Sequence, residues 1–196
     1  MGAMIETAIG NAVKALMHKD VDLAKKAVSY DAEINHKERE IEGDCLKLLL
    51  QQQPVARDLR LISSALKMIT DMERVGDHAS DISEIVIMLA DKPYQDKLKQ
   101  LPKMAEVTIQ MLNDCVDAFI RKDLELANSV IKRDDEVDSL FDEEKNSLLS
   151  VIRENVDNGE VALDLLMIAK YFERIGDHAT NIAEWVVFSI TGEHKQ

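Results

Sequence analysis

The feature that most constrains this chain is an internal repeat. Residues 71–84, DMERVGDHASDISE, match residues 171–184, YFERIGDHATNIAE, at an offset of 100, with eight of the fourteen positions identical. Upstream, HKDVDLAKKAVSYDAEIN (18–35) matches RKDLELANSVIKRDDEVD (121–138) at an offset of 103, through Asp20/Asp123, Leu23/Leu126, Ala24/Ala127, Asp31/Asp134 and Glu33/Glu136. Self-similarity over this length means that one structural unit is used twice. The change of offset gives the first copy three extra residues near QQQPVARD. Length differences between repeats fall in loops, so a turn is predicted around Gln53–Pro54.

Each copy reads as three helices. Ile5, Ile9, Val13, Leu16 and Met17 recur at helical spacing, and this first helix ends near His18–Lys19. Asp20 is placed to cap a second helix of about thirty residues, and Pro54 to open a third that runs to about Ala90. DKPY at 91–94 separates the halves. The second copy repeats the pattern over about 96–121, 123–156 and 160–190, with Asn158–Gly159 as its turn. Only 4% of residues are aromatic, and 7 Gly and 3 Pro are too few for the turns of an all-β fold. The expected fold is therefore all-α: two tandem three-helix up-down-up bundles, residues 1–92 and 93–196. The repeat register pairs Met1 with Met104, so the first helix reads as shortened relative to its counterpart.

The repeated segment carries acids where a buried helix would not. At about 100° per residue, with Glu73 set at zero, Asp77, Asp81 and Glu84 all fall within about 80°. Val75, Ala79, Ile82 and Val86 lie opposite, so the acids form one face and the core residues another. Glu173, Asp177, Asn181 and Glu184 are placed likewise in the second copy. Along the same azimuth upstream, Leu59, Ile62, Leu66 and Ile69 are apolar, which predicts a face covered for half its length. The second helix adds Asp31, Asn35, Glu38 and Glu42, whose counterparts are Asp134, Asp138, Phe141 and Lys145.

Carboxylates gathered in one groove raise one another's pKa, and a bound cation removes that cost. Oxygen-only ligands suit hard or borderline metals. The simpler alternative is a solvated helix face on which Arg74 pairs with Asp77 at i,i+3. Recurrence in both copies favours the metal. His78 and His178 fall about 140° from the first acid of each motif and are read as packing or hydrogen-bonding residues rather than ligands. Gly76 and Gly176 permit close approach of a ligand or a second helix.

Other classes fit poorly. With 37 acidic and 24 basic residues the net charge is -13, which repels nucleic-acid backbones. No run has the apolar length of a membrane span, and no signal-peptide pattern opens the chain, so a cytoplasmic location is expected without membrane insertion. Cys45 and Cys115 form no CxxC and read as free thiols. A di-iron oxidase needs Glu-x-x-His on two helices, but only Glu33-x-x-His36 occurs, and its counterpart ends in Ser139. No phosphate loop or nucleophile motif is present, so catalysis is not expected.

The repeated ER[VI]GDHA followed by I-x-E, together with QQQPVARDLR at 51–60, resembles the PhoU family, over essentially the whole chain. The resemblance implies a cytoplasmic protein that is often a homodimer and represses the phosphate-starvation response when phosphate is plentiful. It implies as partners the ATPase subunit of the phosphate ABC transporter and a sensor histidine kinase. It also implies iron or zinc, in some members as a multinuclear cluster on Glu/Asp-x-x-x-Asp motifs. Carried over by position, the implied ligands are Glu73, Asp77, Asp81, Asp31 and Asn35 in one copy, and Glu173, Asp177, Asn181, Asp134 and Asp138 in the other. Glu38, Glu84 and Glu184 extend the acidic face. The Asn residues at 35 and 181 make the two sites unequal.

Overall fold

The computed structural model describes residues 1–51 and 55–193. Among the described residues the chain forms six α-helices: α1 (Gly2–His18), α2 (Val21–Gln51), α3 (Ala56–Met88), α4 (Leu101–Arg121), α5 (Leu124–Glu154) and α6 (Gly159–Thr191). Among the described residues there is no strand. α1, α2 and α3 pack on one another, and so do α4, α5 and α6. The short connections make neighbours antiparallel, which gives the two expected up-down-up bundles.

Local chemistry explains most boundaries. Asp20 and Asp123 cap α2 and α5, accepting the Leu23 amide at 2.9 Å and the Leu126 amide at 3.0 Å through Oδ1. The residue before each cap, Lys19 or Lys122, ends the preceding helix in the left-handed conformation with φ of 54° and 55°. Two expectations need correction. α4 starts at Leu101 rather than near 96, because Gln95–Lys97 forms a separate 3-10 turn and Pro102 sits in the helix's first turn, where its missing N–H costs nothing. Gly159 is no turn residue but the first residue of α6, with ordinary helical φ of -58°; the turn before it is the 3-10 segment Val156–Asn158. The turn expected at Gln53–Pro54 lies outside the described residues. The face from Leu59 to Ile69 is only partly covered: Leu59 is half exposed, Ile62 and Leu66 are half-buried, and full burial comes at Ile69.

The two bundles share one hydrophobic core. It runs without a break from Ile5 and Ile9 through Val75 and Ile82 to Phe172 and Ile182. The shared wall is α3 against α6, with α1 also touching α4. Contacts run in opposite order along α3 and α6: Gly192 lies against Arg60, His178 against Asp71, Tyr171 against His78, and Glu160 against Lys92. These helices are therefore antiparallel and related by a pseudo-twofold axis near their midpoints.

The linker between the repeats is fastened into this core. Tyr94 is fully buried, and its hydroxyl donates to the Leu16 carbonyl at 2.9 Å, at the end of α1. Lys19 donates to the Lys92 carbonyl and lies 4.8 Å from the centroid of the Tyr94 ring. Tyr94→Phe keeps the ring and removes only the hydroxyl, leaving the Leu16 carbonyl without that donor. A loss of about 1–2 kcal/mol is expected, read as a lower urea midpoint at unchanged m-value.

Candidate functional site

Two acidic grooves flank the α3/α6 wall. One lies between α2 and α3 and the other between α5 and α6, and both are set by a glycine. A Cβ on Gly76 would stand 3.0 Å from Ile34 Cδ1 and 3.6 Å from Asp31 Oδ1; on Gly176 it would stand 3.2 Å from Val137 Cγ1 and 3.3 Å from Asp134 Oδ1. The glycines thus let the paired helices close, and they bring Asp31 and Asp134 down onto the neighbouring helix. Of the two roles expected for them, close approach of a second helix is the one seen here.

In the first groove Asp31 faces Asp77 and Asp81, and a cavity of about 380 Å³ opens among Asp31, Asp77, His78, Ser80 and Asp81. Burial, then the Asp77 charge, pushes the Asp31 carboxyl above its usual range, while the Asn35 amide, donating to Asp31 Oδ2 at 2.9 Å, draws it down. Glu73 is likewise raised, chiefly by burial and then by Asp77, with Glu38 and Asp31 adding to it. Arg74 offsets part of this: its Nη1 lies 2.9 Å from Asp77 Oδ2 and its Nε 3.6 Å from Glu73 Oε2. The i,i+3 pairing considered as the simpler alternative is therefore present in the first copy.

The second groove holds more strain. Asp134 is pushed up to about 6 by burial, then by Asp177 and Asp138, with the nearby Thr180 hydroxyl, which makes no hydrogen bond, drawing it slightly down. Asp177 is raised by burial and by Glu173, and Asp138 by burial and by Glu173. The countercharge here is Lys170, 2.5 Å from Glu173 Oε1 and stacked over the Phe141 ring at 5.4 Å.

Four groove oxygens, Asp31 Oδ1, Asn35 Oδ1, Asp134 Oδ1 and Glu173 Oε2, are shielded from solvent and have no hydrogen-bond partner. Orphaned buried acceptors of this kind fit a cation in donor chemistry. The side chains are nonetheless spread along the grooves: among the described residues no three His, Cys, Asp or Glu side chains converge closely enough to enclose an ion. Loading a metal would have to draw them inward.

Not every expected ligand joins its groove. The Asn181 amide donates to Asp71 Oδ1 across the α3/α6 wall at 3.3 Å, so it points away from Asp134. Glu84 is exposed and Glu184 half-buried. Glu33 and His36 are both exposed on α2, so the single Glu-x-x-His spacing belongs to solvent and not to an inner site.

The histidines do pack, as expected, but on each other. His78 and His178 have ring centroids 5.5 Å apart at the wall's centre. His178 Nδ1 lies 2.8 Å from Asp71 Oδ1, whereas the repeat-related group beside His78 is the Tyr171 ring at 5.4 Å. Burial and the neighbouring His178 push His78 below its ordinary pKa. Asp71 and Tyr171 were not singled out from the sequence, although each stands seven residues before its histidine and hence on the same helical face. Glu144 was missed as well. It is fully buried, and its Oε2 accepts the Gln100 amide at 2.6 Å at the start of α4, a capping role for an acid on another helix.

The sign for Asp134 follows from its raised pKa. Protonated in both states at low pH, it costs nothing; above about pH 6 the folded state holds an ion that the unfolded chain would solvate better. Asp134→Asn should therefore stabilise the protein at pH 7.5 by about 1 kcal/mol, the full shift being reduced because the group is half exposed to screening. The gain should shrink as pH falls from 6 toward 4, as checked by urea melts across that range. Gly76→Val should cost about 2–3 kcal/mol in the same assay, since Ile34 must give way along the whole helix contact.

Comparison with known proteins gives this architecture a family. The PhoU domain family model matches residues 1–86 and again 101–186. The phosphate-specific transport system accessory protein PhoU homolog of Clostridium acetobutylicum is 37% identical over 194 residues, spanning 98% of this chain and 89% of its own length. PhoU of Escherichia coli K12 is 33% identical over 193 residues, spanning 98% and 80%. The crystal structure of PhoU from Pseudomonas aeruginosa superposes with a TM-score of 0.90 at 34% identity, covering 98% of this chain and 93% of that one. That of the Streptococcus pneumoniae protein, described as a phosphate transport system regulatory protein, gives 0.89 at 28% identity, covering 100% and 92%. On two matched domains and near full-length identity above 30%, the chain belongs to the PhoU family.

Proposed function

We propose that this protein is a non-enzymatic, metal-binding adaptor of phosphate uptake that represses the phosphate-starvation response when phosphate is plentiful. Its relatives are named as accessory proteins of phosphate-specific transport, which supports the transport assignment. Acting in the cytoplasm as a homodimer, it links the ATPase subunit of the phosphate ABC transporter to the sensor histidine kinase. Among the described residues no helix is long and apolar enough to cross a membrane, in keeping with a partner that docks onto the transporter.

The observation that carries the metal part is the pair Asp31 Oδ1 and Asp134 Oδ1. They occupy matching positions over Gly76 and Gly176, both buried and both without a donor. Iron or zinc would be held by Asp31, Asn35, Glu73, Asp77 and Asp81 in one groove, and by Asp134, Asp138, Glu173 and Asp177 in the other. A cation would supply the positive charge that these crowded carboxylates lack and tie α2 to α3, and α5 to α6. Arg74 and Lys170, which pair with Asp77 and Glu173, supply part of that charge and would be displaced from them by a cation.

Elemental analysis after supplementation with iron or zinc tests this. Wild-type protein should retain at least one metal per chain, and Asp31→Ala/Asp77→Ala should lose at least half of it. Equal, negligible metal in both would overturn the metal site. Affinity purification from the native cell at high and low phosphate tests the adaptor. The transporter ATPase and the kinase should co-purify; recovery of a different phosphate transporter's ATPase would instead make it an accessory of that system.

A further inference from the structure

We propose a second site, an inorganic phosphate pocket at the basic corner where α3 begins and α4 and α6 end. A cavity of about 280 Å³ there is lined by Arg57, Asp58, Arg60, Lys122 and Ser189. In a chain of net charge -13, this corner gathers three cations against one acid. Among the described residues none of the three makes an ion pair or a hydrogen bond. The Arg60 Nε is buried and lacks a partner. α3 also begins here, on Val55, without a side-chain cap, so the unsatisfied amides of its first turn add positive potential.

The simpler account is that Arg60 closes the C-terminus of α6, since Gly192 runs beneath it. With φ of 81°, Gly192 is the only residue type that fits: a Cβ there would lie 2.0 Å from Arg60 Nη1. Yet no hydrogen bond joins Arg60 to the last carbonyls of α6 among the described residues.

The pseudo-twofold supplies an internal control. By the repeat register, Lys122 corresponds to Lys19, Arg60 to Glu160 and Gly192 to Lys92. At the other corner these groups satisfy one another. Lys92 lies 2.5 Å from Glu160, and Lys19 is spent on the Lys92 carbonyl and the Tyr94 ring. At the basic corner the acid has become Arg60 and its partner a glycine. The same architecture is thus neutralised at one end and left positive at the other.

Two guanidinium forks, one ammonium and the Ser189 hydroxyl offer many donors to one tetrahedral oxyanion. Asp58 sets the selectivity. Phosphate keeps at least one proton at neutral pH and can donate it to a carboxylate, whereas sulfate has none to give and meets only repulsion. The cavity is smaller than most nucleotide-sized pockets, which favours the free ion over a nucleotide. The site lies apart from the acidic grooves and does not depend on metal.

Equilibrium dialysis of the full chain against radiolabelled inorganic phosphate, at neutral pH and low chloride, tests the site. Saturable binding of one phosphate per chain is expected, with sulfate and ATP at least about 10-fold weaker competitors. Arg60→Glu, which installs the charge found at the matching corner, should weaken binding at least about 10-fold, and Lys122→Ala several-fold; circular dichroism melts confirm folding, and either variant suffices should the other not fold. Asp58→Asn should narrow the gap between phosphate and sulfate. Glu73→Ala/Asp77→Ala should leave phosphate binding unchanged while lowering metal content, so the two sites fail separately. No saturable binding, equal displacement by sulfate, or full retention in Arg60→Glu or Lys122→Ala would overturn the proposal, and tighter binding of ATP would reassign the site to a nucleotide.

Discussion

The antiparallel packing of α3 against α6 is the contact on which the other features depend. Apolar residues from both copies, Val75, Ile82, Ile175 and Ile182 among them, are fully buried in the core that it joins. Because each repeat contributes its third helix, a face that one bundle would leave bare is covered by the other, and two small units become one core. The wall also fixes where polar groups can go. His78 and His178 meet at its centre, and Asp71, Tyr171, Asp81 and Asn181 gather round them. Burial of this cluster is tolerable because most members find a partner within it.

The acidic grooves are a consequence of the same geometry one layer out. With α3 held by α6, the outer helices α2 and α5 can approach only along faces where glycine permits it, and Gly76 and Gly176 mark those lines. Close approach desolvates the carboxylates that lie over the glycines, which is why Asp31, Glu73, Asp134, Asp138 and Asp177 are all shifted upward together. A chain that wanted only stability would place Asn or apolar residues there. The arrangement is repeated in both copies, over Gly76 in one and Gly176 in the other.

Much of this was legible in the sequence because it depends on local or periodic chemistry. The caps at Asp20 and Asp123 require only a side chain and an amide three residues on, and the acidic and apolar faces require only the helical period. What escaped depends on neighbours far away in the chain. The start of α4 is decided by a 3-10 turn pinned through Tyr94 to α1, and Glu144 is buried because α4 needs a cap. The meeting of the histidines, and the diversion of Asn181 to Asp71, follow from which helices form the wall. A helical wheel places a residue on a face but does not say what that face meets.

Duplication has also left the two grooves unequal in a way that reaches beyond folding. One carries Asn35 opposite a pairing arginine, and the other carries Asp138, a lysine held over an aromatic ring, and the most strongly raised carboxylate. Sites that differ this much in donor charge would fill at different concentrations of the same cation. A single polypeptide with two such thresholds can register a broad span of supply, whereas two identical sites would saturate together. If the grooves take the proposed cation, divergence between the copies would widen the dynamic range within one rigid frame.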